Sequence, residues 1–422
     1  MISLLSSRWR IPILVLILIA FVAAYTMLLH DRFTALYPGA NDFFSIYAGA
    51  YGYFMRGWNP YGPETDAFIH QVIGGGSENG LGLFAYPLYA IWIAAPLLVL
   101  PNYPWAEALW LVLCQGMIFV SLLVILRYFR WQPPVALFGV LVIWSIFFYP
   151  NARALLLGQV ALLVFLLTVL VFWLLFRIEP NPRTDILAGI LLAVTTIKPQ
   201  MQFLIIPFLL LWGLRMRRWV FLASAAVSML ALIGISFLML PSWLTDWLAE
   251  LRLYPSYTPP AVMNILAHDI LHLPGSAAQI VERVIEAGLA IYLLWEWWRV
   301  LWKGDAERLD WTLALTIVIS HLVALRTATP HYVVFLFVLI PLLKRWSERG
   351  VWLPIAVLLA LFVGYWGLFA LTQDSQAESN LMFVPPPLIM LGLLFIFQPP
   401  ERFPVVGRTL QPARPVGAST QR

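Results

Sequence analysis

Apolar runs succeed one another along this chain from Ile11 to about residue 398, and most of the gaps between them carry arginine or lysine. The first, Ile11 to Leu29, follows Arg8 and Arg10 and is long enough to cross a bilayer at about 1.5 Å per residue. Further runs lie at approximately 86–100, 105–126, 133–150, 155–176, 185–197, 200–214, 219–240, 278–302, 310–326, 331–343, 351–371 and 384–398. With 61% hydrophobic and 11% charged residues, no soluble core could hide this surface. The chain is therefore expected to be an all-α polytopic membrane protein.

The basic clusters constrain how the runs are threaded. No small-residue cleavage site follows the first run, so it is read as an uncleaved helix with a cytoplasmic N-terminus. If every later run crossed, Arg127 with Arg130, Arg177 with Arg183, and Arg215 with Arg217 and Arg218 would all fall outside, against the positive-inside rule. One early run must not cross. "AYPLYAIWIAAPLLVLPNYP" is the candidate, being short and broken by Pro87, Pro96, Pro101 and Pro104. With that segment interfacial or re-entrant, those clusters return to the cytoplasm, as do Lys303, Lys344 with Arg345 and Arg349, and the tail arginines from Arg402 to Arg422. The expected count is about twelve transmembrane helices with both termini cytoplasmic. The hairpins at "TTIKPQMQF" and "LRTATPHYV" have short arms, and each could instead be one long kinked helix.

Residues 1–400 then form one integral-membrane domain and 401–422 a disordered cytoplasmic tail. Extracytoplasmic loops are expected at 30–104, with amphipathic interfacial helices, and at 241–277. Cations placed on the outer side run against the usual bias: Arg56, Arg153, Lys198, Arg252, Arg326 and, when protonated, His268, His272, His321 and His331. Several of them around one outer cavity would suit a departing phosphate; singly, each could equally snorkel to headgroups.

Asp42 opens "NDFFSIYAGAYGYFMRGWNPYG". A helix starting near Asn41 carries the apolar stripe Phe43, Ile46, Tyr47 and Ala50, which predicts a helix lying on the outer membrane surface. Taken alone, Asp42 is most simply a carboxylate capping that helix, and Gly57, Asn59, Pro60 and Gly62 end it and turn the chain. Other constellations are weak. His268 and His272 could share a helix face but lack a third ligand, so no metal is expected. Glu282 and Glu286 share a helix face that could pair with Arg283 or line a cavity. The absence of a phosphate-binding glycine-rich loop argues against an ATP-driven pump, and no cofactor is expected. The basic residues sit in small groups at helix ends, which does not suit nucleic acid.

Several segments in fixed order resemble the bacterial polyprenyl-phosphate-dependent glycosyltransferases of GT-C architecture, specifically the group containing the alpha-1,2-mannosyltransferase of phosphatidylinositol mannoside synthesis. They are "DFFSIYAGAYGYFMRGWNPYG", "AYPLYAIWIAAPLLVLP", "ALLLGQVALLVFLL" and "AGILLAVTTIKPQMQFLIIPFLLLWGLRMRRW", which together cover roughly the N-terminal half. Leu88 departs from the pattern, standing where that family has the second proline of a Tyr-Pro-Pro element. The resemblance implies a GT-C bundle in which Asp42 is the catalytic base of an inverting transfer. A hexose, with mannose favoured, would pass from a polyprenyl-phosphate donor to a lipid or glycan hydroxyl at the extracytoplasmic face of a bacterial inner membrane. Lys198, Arg326, His331 and Arg153 would hold the donor phosphate, and Tyr47, Asn59, Tyr61, Gln159, Gln200, Tyr257 and Asn264 would contact substrate. Two other readings use the same features: a transporter or flippase of lipid-linked sugars, against which no internal repeat is evident, and a non-catalytic scaffold.

Overall fold

The computed structural model describes residues 7–73, 83–326, 328–373 and 378–397, and every regular element among them is helical. The expected tail at 401–422 and most of the glycine-rich stretch 73–82 lie outside the described residues. α1 (Ser7–Leu29) runs on through a π-turn, so that Ile11–Thr34 forms one 24-residue apolar span. Its side chains are largely exposed, as lipid contact requires. The His30 ring at its end stacks on Trp105 at 3.7 Å.

α2 (Asn41–Tyr51) does not lie on the membrane surface with one apolar face outward: Phe43 through Ala50 are all buried. Small residues make this possible. At Gly49 a Cβ would come within 2.9 Å of the Phe84 ring, so glycine lets the neighbouring chain close on the helix. α2 packs between α3 (Pro63–Ile73) and the broken helical segment Leu88–Val99, whose centre is α4 (Ile91–Ala94). That segment, mostly 3-10 helix, spans about 22 Å at about 1.5–2.0 Å per residue, short of the roughly 30 Å hydrocarbon core. The amphipathic element is α3, which exposes Pro63, Glu64 and Ala67 and buries Thr65 and Ile69.

α5 (Tyr103–Tyr128) is a second long apolar helix, followed by α6 (Val135–Phe147) and α7 (Tyr149–Leu156), bent by 51° at Phe148 and Pro150. Next come α8 (Ala161–Phe176), α9 (Pro182–Thr195), α10 (Pro199–Gln202), α11 (Ile205–Arg215) and α12 (Trp219–Met239). The "NPRT" sequence starts α9 with a capping box: Asn181 accepts from the Thr184 amide at 3.0 Å, and Pro182 fills the first helical position. Past α12 lie α13 (Trp243–Tyr257), α14 (Val262–Ile265), α15 (Gly275–Leu301), α16 (Leu309–Leu322), α17 (Phe335–Ser347), α18 (Trp352–Thr372) and α19 (Pro385–Ile396).

Ion pairs settle the two segments that sequence left ambiguous. Asp185 in the first turn of α9 makes a bidentate pair with Arg218, just beyond α11, so α11 returns to the end from which α9 departs. Asp310 at the start of α16 pairs with Arg177 at 2.5 Å and accepts from the Tyr128 hydroxyl at 2.6 Å. Lys344, in the last turn of α17, donates to the Phe129 carbonyl at 2.9 Å. The start of α16 and the ends of α5, α8 and α17 therefore meet at one end of the bundle. Both segments are hairpins, and their tips, 196–204 and 323–334, point to the opposite end.

Among the described residues, four helices are long and apolar enough to cross a membrane: Ile11–Thr34, Tyr103–Tyr128, Trp219–Met239 and Trp352–Thr372; the bent α6–α7 pair is a fifth if it forms one span. A count of about twelve would need the shorter helices, among them α8, α11 and the segment ending in α19, to cross as well. α9 and α12 approach closely at Gly189, where a Cβ would lie 2.6 Å from the Ala225 amide nitrogen and 2.8 Å from the Phe221 carbonyl. Gly234, on α12, faces open space. Gly189→Leu should therefore lower the melting temperature of the detergent-solubilised protein, overpacking costing about 1–3 kcal/mol, while Gly234→Leu leaves it nearly unchanged. Equal melting of the two variants would contradict this packing.

Candidate active site

The start of α2 is fixed by the loop that joins α7 to α8. Ala40 adopts a left-handed conformation and supplies no side-chain cap; instead the amides of Asp42 and Phe43 both donate to the Leu157 carbonyl, at 3.2 and 3.3 Å. Gly158 follows with φ of +58°, and a Cβ there would lie 2.8 Å from that of Phe43 and 2.9 Å from that of Ala40. Its carbonyl accepts from the Trp110 indole at 2.7 Å. The Leu-Gly-Gln turn thus docks directly on the helix N-terminus. Because a main-chain carbonyl does the capping, the Asp42 carboxylate is released from that task.

That carboxylate accepts a hydrogen bond from the Gln159 amide nitrogen, and the Gln159 amide oxygen accepts one from the Lys198 ammonium. Gln159 therefore bridges acid and cation. Gln159 and Lys198 are buried, while Asp42 is partly open. All three line a cavity of about 500 Å³ at the hairpin-tip end, with Asn41, Ser45, Arg153, Gln200, His331 and Glu378. α13 closes one side through Trp247, Leu251 and Tyr254, and the Trp247 indole is tied to the Ala85 carbonyl at 3.1 Å.

Burial raises the pKa of Asp42, against the opposing pull of the Lys198 charge, the Gln159 hydrogen bond and Arg153. Burial lowers that of Lys198 to about 8, the Asp42 charge resisting. His331 is pushed well below the ordinary histidine value by burial, then by Lys198 and His321. At neutral pH it is uncharged, so it can serve a phosphate only as a hydrogen-bond partner and not as a cation.

The other expected residues divide. Arg153, Gln200 and His331 line the cavity with Asp42, Gln159 and Lys198. Arg326 stands behind that wall, donating to the Thr258 carbonyl at 3.3 Å, and its charge is felt by Tyr254. Three residues expected to contact substrate make internal contacts and are not among the cavity-lining residues. Asn59 donates to Asp246 at 3.0 Å and accepts from the Tyr61 amide, Tyr61 is buried with its hydroxyl on the Tyr86 carbonyl, and Tyr47 packs among Phe43, Phe44 and Tyr103. Asn264 is bound to Glu282 at 3.1 Å and is not among the cavity-lining residues. The Tyr257 side chain lies outside the described residues. Tyr254 and Glu378 were not foreseen. Glu378 could have been suspected as an acid between two apolar runs on the outer side, but nothing in the sequence says it folds inward.

The Asp42–Gln159–Lys198 arrangement offers a carboxylate that can take a proton beside a cation that can hold an anion. Comparison with known families now bears on that chemistry, since the glycosyltransferase family 87 model matches residues 84–325. The chain belongs to glycosyltransferase family 87. This is a GT-C-type family, so the chain is a membrane glycosyltransferase, which favours transfer chemistry over the flippase and scaffold readings. No match is found among curated proteins or among solved structures. The matched region of the family 87 enzyme contains Gln159 and Lys198, while Asp42 precedes it.

If Asp42 takes a proton and Lys198 holds an anion during turnover, the need for an ionised carboxylate and a charged lysine gives a bell-shaped pH profile. Sugar transfer should fall as pH rises through about 8, where Lys198 loses its proton, and its acid limb should lie above the usual carboxylate range. Gln159→Leu, which removes a hydrogen bond favouring the Asp42 anion, should move the acid limb further up. Lys198→Arg should move the alkaline limb to higher pH. An unchanged profile in both variants would contradict this electrostatic account.

Proposed function

We propose that the enzyme is an inverting hexosyltransferase using a polyprenyl-phosphate sugar, with mannose the favoured hexose, and that Asp42 is its general base. The observation that carries this is the Asp42 carboxylate opening onto the cavity with Lys198 one amide bridge away. An acceptor hydroxyl on a lipid or glycan loses its proton to Asp42 as its oxygen bonds to the anomeric carbon. The bond from that carbon to the phosphate oxygen breaks, and its electron pair leaves with the polyprenyl phosphate. Lys198, with His331 as a neutral partner and Arg326 behind them, stabilises the dianion that departs. Attack by the acceptor opposite the phosphate inverts the anomeric centre, so a single carboxylate suffices and no covalent sugar–enzyme intermediate is needed.

About twelve crossings, an extracytoplasmic active site in a bacterial inner membrane and cytoplasmic termini belong to the same reading. Support comes from the distribution of charge: Arg127, Arg177, Arg215 and Lys344 gather at the ion-paired end, opposite the cavity, as the positive-inside rule requires.

The test is transfer of labelled mannose from polyprenyl-phosphate-mannose into a lipid extract by purified wild type and Asp42→Asn. Wild type should form product. Asp42→Asn, nearly isosteric but unable to take the proton, should lose about 10²–10⁴ in kcat and still bind donor. Equal turnover by both would remove Asp42 from the chemistry.

A further inference from the structure

The cavity lining holds a second polar pair that the proposed transfer does not use. Glu378, in the connection between α18 and α19, is buried, its side chain 8% exposed. One carboxylate oxygen, Oε2, accepts from the Thr329 hydroxyl at 2.9 Å and stands 3.8 Å from the Arg153 Nε. The other, Oε1, is buried without a hydrogen-bond partner, and so is the Arg153 Nε. The Tyr149 hydroxyl lies beside the carboxylate and influences it, but makes no hydrogen bond of ordinary geometry. A buried acceptor and a buried donor, both left open on one cavity, lose the stabilisation that each would gain from a partner, so a ligand supplying both restores it.

The chemistry of that ligand follows from the pair. A second phosphate is excluded, since Glu378 would repel it and already offsets the Arg153 charge. A carboxylate only accepts and a guanidinium only donates. A group with adjacent hydroxyls, one donating to Glu378 and its neighbour accepting from Arg153, satisfies both. Position points the same way. Thr329, which holds Glu378, lies two residues before His331, and His331 feels the Lys198 charge. Arg153 in turn acts on Asp42. The pair therefore lines the same cavity as the proposed phosphate cation and the proposed base, the space in which a sugar joined to that phosphate must lie.

We propose that Glu378 and Arg153 form the subsite for the transferred monosaccharide, gripping neighbouring hydroxyls of its ring and selecting among hexoses by their orientation. This rests on the glycosyl-donor reading above and reassigns Arg153 from the phosphate to the sugar. A site built around a charged partner for a hydroxyl discriminates strongly against a sugar that cannot supply it.

The experiment measures binding of polyprenyl-phosphate-mannose, polyprenyl-phosphate-glucose and sugar-free polyprenyl phosphate to detergent-solubilised full-length protein, comparing wild type, Glu378→Gln and Thr329→Val. Wild type should bind at least one sugar-bearing lipid more tightly than the bare phosphate lipid. Glu378→Gln should lose about tenfold or more of that preference while binding the bare lipid as well as before or better. Thr329→Val, which frees Glu378 without removing it, should shift the preference the same way by less, and wild-type melting temperatures in both variants keep misfolding out of the comparison. Equal weakening toward all three lipids, or an unchanged preference, overturns the subsite. A wild type that does not distinguish any sugar-bearing lipid from bare polyprenyl phosphate contradicts the donor reading itself.

Discussion

The geometry of the site depends on one backbone contact, the Leu157 carbonyl seated on the first amides of α2. A helix N-terminus leaves several amides without intrahelical partners, and an acid near the start is the usual remedy. Here the remedy comes from a distant loop, and Gly158 allows it because any side chain at that φ would strike Phe43 and Ala40. Two results follow from one docking event. Asp42 keeps its carboxylate free at the cavity, and Gln159, the next residue of the turn, is placed to bridge it to Lys198. The bridge also prevents direct collapse of acid and ammonium into a contact ion pair, which would hold the carboxylate too tightly for it to accept a proton.

Burial then sets the balance of the pair. Desolvation disfavours both charges, while each charge favours the other. Asp42 is consequently more basic than an ordinary carboxylate and Lys198 more acidic than an ordinary ammonium. Such a pair suits a reaction in which one group gains a proton as negative charge develops beside the other. The two helical hairpins serve the same end. They are anchored at one end of the bundle by Arg218 with Asp185, and by Arg177 with Asp310, and so carry Lys198 and His331 to their tips at the other.

Much of this was legible in the sequence, and the rest was hidden for identifiable reasons. All-helical membrane character is written in the apolar runs, and the short, proline-broken segment at 88–99 declared itself by its prolines. Lys198 and His331 could be picked because cations are costly in such surroundings, whereas Asp42 alone read as a helix cap and came forward, with Gln159, only through the family resemblance. Roles were harder. The aromatic stripe of α2 reads equally as a lipid-facing surface or as a helix buried on all sides, since both are apolar. Asn59 and Tyr61 were expected as ligands through the resemblance, but they hold Asp246 and the Tyr86 carbonyl, partners that no local pattern in the sequence reveals. Glu378 was missed because its inward turn is decided by Thr329 and Arg153, which no local pattern connects to it. His331 was expected as a cation because burial cannot be seen from its neighbours.

The central claim is that the donor phosphate sits at Lys198, at the hairpin-tip end and within reach of Asp42. The most direct measurement is an electron cryomicroscopy structure of the protein in lipid nanodiscs with polyprenyl phosphate bound. Phosphate density is expected within hydrogen-bonding distance of the Lys198 ammonium, on the cavity side of Gln159. Phosphate bound instead at the opposite end, among Arg127, Arg177 and Arg218, would contradict it.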